Sequence, residues 1–401
     1  MPLDRKASLI VATLLVGCAP PNTGDLFNTV EMTVEADVGP VHERLIELVD
    51  GAEEQVLAVL PALEDPAVAD AIIEAWDRGL LVEVVTDIDH EADEGVQMLL
   101  DAGVPVQLGD GEMTYTEFGI GTVTEITVPS EFVQMSTAYV VVDENRVISA
   151  TELGSLESGA RIAFDIKSED LVDDFVMEHN QLFGGTDASS LTAFSSLAKS
   201  ITDSRWLYPN QTGLDFEVWV GPQERVVKRM IDAVYTARSS IYLLTEDFLD
   251  QGLAKALQDK AADGFEVLVV VGPTFGSTST YSDTFLNETP DVGKHQVVDA
   301  VGRIPTVMLV DSRPEANPMG LDISPRAKAF VLTHDVVSAI RYELEPAPDG
   351  SFDVSSVRSD QLTDGVLYVI GDPNHDPESP SPELDAVLTT ISEHLDIAVS
   401  L

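Results

Sequence analysis

The chain has 401 residues, 70 acidic and 22 basic, with a formal net charge of −48 and 44% hydrophobic residues. That hydrophobic fraction excludes a disordered acidic tail, and the length suits two domains. The charge excludes double-stranded DNA and RNA, whose binding rests on lysine and arginine neutralising phosphates, and taken as a whole it disfavours anionic lipid head groups.

Arg5 and Lys6 precede an apolar stretch, Ala7 to Val16, that is too short to cross a bilayer and leads into Gly17-Cys18. Residues 1–17 therefore read as a secretory signal. The placement of Cys18 resembles the lipobox of bacterial lipoproteins. This implies cleavage before Cys18, acylation of that residue as a lipid anchor, and an extracytoplasmic place in the bacterial cell envelope, on the periplasmic face or the surface. Cys18 is the only cysteine, so no intramolecular disulfide forms. No other stretch is long and apolar enough to span a membrane. Residues 18–40 read as a polar tether.

Leu45, Leu48 and Val49 mark a helix face closed by Gly51, and Val56 to Leu60 reads as a buried strand. Asp65-Pro66 is an N-cap followed by proline in the first turn, and Gly79 stands at the C-terminal end of that helix. Leu81 to Thr86 is the next strand, Glu91 to Ala102 a helix and Val104 to Leu108 a short strand. Gly109 to Glu131 reads as irregular. Tyr139 to Val142 and Arg146 to Ser149 are strands joined by the polar turn Asp143-Glu144-Asn145, and Glu169 to Leu182 is a helix. Alternating strands and helices predict a parallel or mixed sheet with helical cover.

The pattern then repeats. Ala52 and Gly79 recur as Ala237 and Gly264, each 185 positions on, with the strands Ile241 to Leu244 and Val267 to Val270 in the matching places. Two copies at so long a period predict duplicated lobes, 41–190 and 223–401, joined by a connector at 191–222. Gly276 to Pro290 reads as a long Ser/Thr loop.

Ser136-Thr137-Ala138-Tyr139-Val140-Val141-Val142-Asp143, with Ala150-Thr151 six residues later, has the frame of His-x-Lys-x4-Asp followed by Gly-Ser. In the second copy, Arg326-Ala327-Lys328-Ala329-Phe330-Val331-Leu332-Thr333 is assigned to the same frame. These segments, with the lobe pattern, resemble the phospholipase D superfamily. The resemblance implies an α/β fold of two phospholipase D-like lobes, each a mixed, mainly parallel sheet flanked by helices, related by a pseudo-two-fold. In that superfamily one histidine attacks phosphorus, the other protonates the leaving group, and the lysines hold the non-bridging oxygens.

Here Ser136 and Arg326 replace the histidines, Ala138 and Thr333 replace a lysine and an aspartate, and Asp143 and Lys328 match. None of the seven histidines is followed two positions later by lysine. Phosphoryl transfer needs an activated nucleophile and an acid, and an arginine that keeps its proton supplies neither. The expectation is an inactive phospholipase D-like binding or scaffold module. Arg326 and Lys328 would face one side of a strand and could hold an anion, such as a phosphate-bearing small ligand, or pair with nearby carboxylates. An envelope protein is the other expected partner. The rival reading is an active phosphodiesterase rebuilt around His334 or His295.

No cofactor and no metal are expected. Asp372, Asn374, Asp376 and Glu378, with Glu383, imitate a calcium loop, but Pro377 stands where that loop needs glycine. The acids around His90 suit the positive end of a helix better than a metal.

Overall fold

The computed structural model describes residues 31–35, 38–109, 113–119, 122–128, 135, 137–150, 153–154, 162–183, 205–207, 215–221, 226–248, 250–272, 289, 292–296, 306–311, 327–333, 336–337 and 365–372. The first lobe runs β1 (Glu31–Glu35), α1 (Val38–Asp50), β2 (Gln55–Val59), α2 (Pro66–Asp77), β3 (Leu81–Asp87), α3 (Glu94–Ala102), β4 (Val106–Gly109), β5 (Met113–Gly119), β6 (Thr122–Val128), β7 (Tyr139–Val142), β8 (Arg146–Ala150), β9 (Ala163–Lys167) and α4 (Glu169–Phe183). Its seven-stranded sheet has the order β1-β9-β8-β7-β2-β3-β4. The strands joined through helices, β2, β3 and β4, are parallel, and β7, β8, β9 and β1 add antiparallel strands, so the sheet is mixed as expected but mainly antiparallel rather than mainly parallel. Asp65 caps α2 by accepting the Ala67 N–H, and Gly79 after the helix takes a φ of +85°.

The second lobe runs β10 (Arg205–Leu207), β11 (Asp215–Gly221), α5 (Val226–Thr236), β12 (Ser240–Thr245), β13 (Asp247–Phe248), α6 (Gln251–Ala262), β14 (Glu266–Val271), β15 (Gly293–Gln296), β16 (Thr306–Asp311), β17 (Ala327–Leu332), β18 (Val336–Val337) and β19 (Gly365–Asp372). Its eight-stranded sheet has the order β10-β11-β19-β17-β16-β12-β14-β15, and β13 pairs with β18 apart from it.

Three further expectations need correction. Residues 31–35, assigned to the tether, form β1 opposite β9, because Met32 and Val34 alternate with polar neighbours. Residues 205–207 and 215–221, assigned to the connector, are β10 and β11 of the second sheet. Residues 113–119 and 122–128, assigned to an irregular stretch, form the ribbon β5–β6 with Met113 opposite Val128. Its threonines, aromatics and β-branched residues outweigh the flanking glycines.

Apolar residues fall into three layers. Helices α1, α2 and α3 cover the outer face of the first sheet, and α5 and α6 cover that of the second. Between the sheets lies a single core built from both lobes and α4, containing Tyr139, Phe164 and Phe175 from one lobe and Phe216, Leu309 and Tyr368 from the other. The rings of Phe164 and Tyr368 stack with centroids 3.9 Å apart, and Phe216 lies 6.0 Å from Tyr368.

Candidate functional site

Strand register locates the motif in both lobes. Val56 opposes Val142 as Ile241 opposes Val310, and Val59 opposes Tyr139 as Leu244 opposes Val307. Val56 and Ile241 are related by the offset of 185, so β7 answers β16 and Asp143 answers Asp311. The second-lobe frame is therefore Ile304-x-Thr306-x4-Asp311. The assignment of that frame to Arg326–Thr333 is corrected, because residues 327–332 form β17, the next strand. β17 answers β8: Val310 opposes Lys328 as Val142 opposes Arg146.

The cause is an insertion. Val106 and Val142 are 36 positions apart, whereas their counterparts Lys294 and Val310 are 16 apart. The first lobe spends its extra 20 residues on the stretch that holds the β5–β6 ribbon. A period held constant past that point therefore lands on β17. One signal was legible: Tyr139-Val140-Val141-Val142-Asp143 and Val307-Met308-Leu309-Val310-Asp311 are both apolar runs ending in aspartate.

At the lysine places stand Ala138 and Thr306, each 0% exposed. The carbonyl of Ala138 accepts the Ser149 hydroxyl at 2.7 Å, and Thr306 Oγ1 lies 2.8 Å from Thr245 Oγ1. Ser136, Ile304, Arg326, His334 and the calcium-like residues after Asp372 lie outside the described residues. Thr333 closes a strand end, its hydroxyl accepting the Val366 N–H at 2.9 Å.

Asp143 works as a structural hinge pin. It and Glu144 have φ values of 50° and 52°, as the tight β7–β8 turn requires. Its carboxylate accepts the N–H groups of Glu53, Glu54 and Gln55, with Oδ1 2.8 Å from Glu54 N, and so ties the motif hairpin to the entry of β2. Asp143→Ala should lower stability by about 2 kcal/mol in urea unfolding, and Asp143→Asn by less, since an amide oxygen still accepts.

Beside the motif, each lobe holds a buried acid. Asp87, at the end of β3, accepts the Met135 N–H at 2.9 Å, one residue before Ser136 in the chain. Burial raises its pKa, against the opposing hydrogen bonds from Asp89 and Met135. The repeat counterpart of Asp87 is Gly272, and there the acid comes from Glu246 instead: a Cβ on Gly272 would collide with the Glu246 carboxylate.

A second pair of acids explains Lys328. In the first lobe Asp165 accepts from Arg146 through two bonds of 2.6 Å and from Arg44 Nε at 3.0 Å. In the second, Glu217 accepts from Arg229 at 2.7 and 2.8 Å, from Trp219 Nε1 at 3.0 Å and from Lys328 Nζ at 3.2 Å. Arg229 lies 185 positions after Arg44, and Lys328 occupies the register place of Arg146. Burial raises both carboxyls, yet their cations outweigh it and hold each below the ordinary range.

Of the two expectations for Lys328, anion binding or pairing with a nearby carboxylate, the second is the one seen. Its ammonium is committed to Glu217, and it shares a face of β17 with Phe330, which packs under the outer helices rather than between the lobes.

Elsewhere, His179 on α4 is fully buried, 3.3 Å from Glu83 and stacked on Phe183; burial lowers its pKa against the pull of Glu83. Among the described residues no three His, Cys, Asp or Glu side chains converge as a metal site would require.

No protein-family profile and no curated protein matches the sequence. Solved structures do. Phosphatidylserine synthase from Haemophilus influenzae Rd KW20 superposes with a TM-score of 0.55 at 12% identity, covering 94% of this chain and 90% of its own. Polyphosphate kinase from Porphyromonas gingivalis gives 0.49 at 10% identity over 87% of this chain and 48% of its own. Nuc, a phospholipase D family member from Salmonella typhimurium, gives 0.29 at 14% identity over 38% of this chain and 92% of its own. The first of these carries the fold: the chain has a two-lobed, phospholipase D-like α/β architecture.

Proposed function

We propose that this chain is a phospholipase D-like lipoprotein without phosphodiester chemistry, serving as a binding or scaffold module in the bacterial cell envelope and anchored through Cys18. The observation that carries the reading is the burial of both lysine places, Ala138 and Thr306, with no exposure to solvent. A group that holds a substrate's phosphate must be reachable by it, and neither residue brings a charge. Two places upstream stand Ser136 and Ile304, neither of which replaces an imidazole as nucleophile or acid.

An enzyme rebuilt around His295 has less support. His295 lies on β15, three strands from β16 and so roughly 14 Å away in the sheet. Purified protein incubated with bis(p-nitrophenyl) phosphate and with phospholipid vesicles should release no product above buffer. Turnover that is abolished by His295→Ala or His334→Ala would establish the enzyme instead. For the anchor, Cys18→Ala should shift the protein from the membrane to the soluble fraction, and unchanged membrane association would sink that part of the reading.

A further inference from the structure

Residues 41–87 of the first lobe answer residues 226–272 of the second under the 185-residue offset, but their charges differ widely. The first stretch holds 12 acids and 2 bases, the second 7 acids and 5 bases. At the surface the contrast is greater. Among the described residues the first stretch exposes eight acids, Glu47 and Glu74 among them, against Arg78 alone. The second exposes Lys228, Arg238 and Lys255 against three acids, and Lys228 and Lys255 form exposed one-turn ion pairs with Asp232 and Asp259. The same layer carries Tyr235, half-exposed on α5 between Lys228 and Arg238.

We propose that the α5–α6 layer is the face this protein turns toward an anionic lipid surface. The proposal rests on the anchored reading above and extends it to an orientation. A body of net charge −48 held beside a negative plane turns the less negative of its two helical faces toward that plane. Exposed lysine and arginine are attracted to the head groups, and a tyrosine with an apolar ring and a polar tip suits the interface. Twelve residues separate Cys18 from Glu31, so the thirteen steps between them reach at most roughly 47 Å, which spans the two layers, each about 10 Å thick, between the first sheet and the outer helices. The charge of the whole molecule still opposes free binding, so the tether supplies proximity and the face supplies direction. A second copy suits this face less well, because it brings another strongly acidic body.

Cys18 is the sole cysteine, so the full chain can be coupled through it to maleimide lipids. The probes are vesicles of phosphatidylcholine with or without about one third phosphatidylglycerol. Lysine acetylation and carboxyl labelling, read by mass spectrometry, then report which face is covered. Lys228 and Lys255 should be acetylated more slowly on the anionic vesicles than on the neutral ones, while Glu47 and Glu74 label equally on both. Lys228→Ala should cut the protection remaining at Lys255 about fivefold, and Lys255→Ala that at Lys228, and an unchanged urea midpoint checks the fold. Equal lysine labelling on both vesicles, or protection of Glu47 and Glu74, overturns the proposal. So does protection that needs no vesicle and rises with protein concentration, which would mark a second copy. The coupling is chemical, so loss of natural lipidation, tested by Cys18→Ala in cells, leaves this readout intact.

Discussion

Phe164→Ala should unfold both lobes together and cost about 3–5 kcal/mol, the range for truncating a fully buried aromatic. Phe164 belongs to the first lobe but stacks on Tyr368 and packs near Phe216, both of the second, inside a core the two sheets share. Removing its ring opens a cavity against both inner faces, with no solvent-side layer able to collapse into it. In urea the variant should still give one transition, at a lower midpoint. Native-state hydrogen exchange should show protection falling together in β2 and β12, one central strand from each lobe. If the amides of β12 kept their protection while those of β2 lost it, the lobes would be separate folding units and the shared core would be energetically idle. Leu100→Ala, at an exposed position on α3, should stay within about 0.5 kcal/mol of the parent.

Glu217→Ala should cost about 2–4 kcal/mol, because it leaves Arg229 and Lys328 facing each other and strips Trp219 of its acceptor. Glu217→Ala combined with Lys328→Ala should recover part of that loss, since the double change removes the like-charge contact; a double-mutant cycle measures the coupling. The pH dependence follows from the sign of the shift. Glu217 and Asp165 are held below their ordinary pKa in the fold, so the unfolded chain binds more protons in acid. Their contribution is complete above the ordinary carboxylate range and is lost as pH falls through the folded values, below about pH 4. Glu217→Ala should therefore flatten the acid limb of the stability curve while lowering its plateau. An unchanged acid limb would mean that the ion pairs contribute nothing there.

Much of the architecture was legible in the chain because its signals are local. Asp65-Pro66 and Gly79 bracket α2, and four-residue apolar runs ending in aspartate mark β7 and β16. What could not be read by counting was the second motif. The ribbon β5–β6 lengthens one copy only, so the period changes between β4 and β7, and no periodicity reports where a period changes. Register also decides between the two readings of Lys328. A lysine two places after an arginine on a strand looks like an anion cradle until the register shows that its face lies under α5, beside Glu217. The pairing of Arg44 with Arg229 across the offset was available in the sequence, but its meaning depended on acids that do not share the offset.

Those acids sit on different strands. Asp165 lies on β9 opposite Thr33 of β1, whereas Glu217 lies on β11 opposite Val369 of β19, and β11 and β19 hold the places of β1 and β9. Between the two copies the negative charge has crossed one rung of the ladder while its cations stayed put. Such a crossing passes through a chain with both acids or with neither. Two acids against two cations is a neutral, well-paired state, whereas two cations alone repel in a half-buried place, so the passable order is gain before loss. The longer reach of glutamate suits the more distant strand. What the duplication inherits at this spot is thus a charge at a point in space, and the residue that carries it is free to change strands. A residue-by-residue alignment of the two halves would score this spot as two mismatches, Asp165 against Val369 and Thr33 against Glu217, although both halves solve it with the same electrostatics.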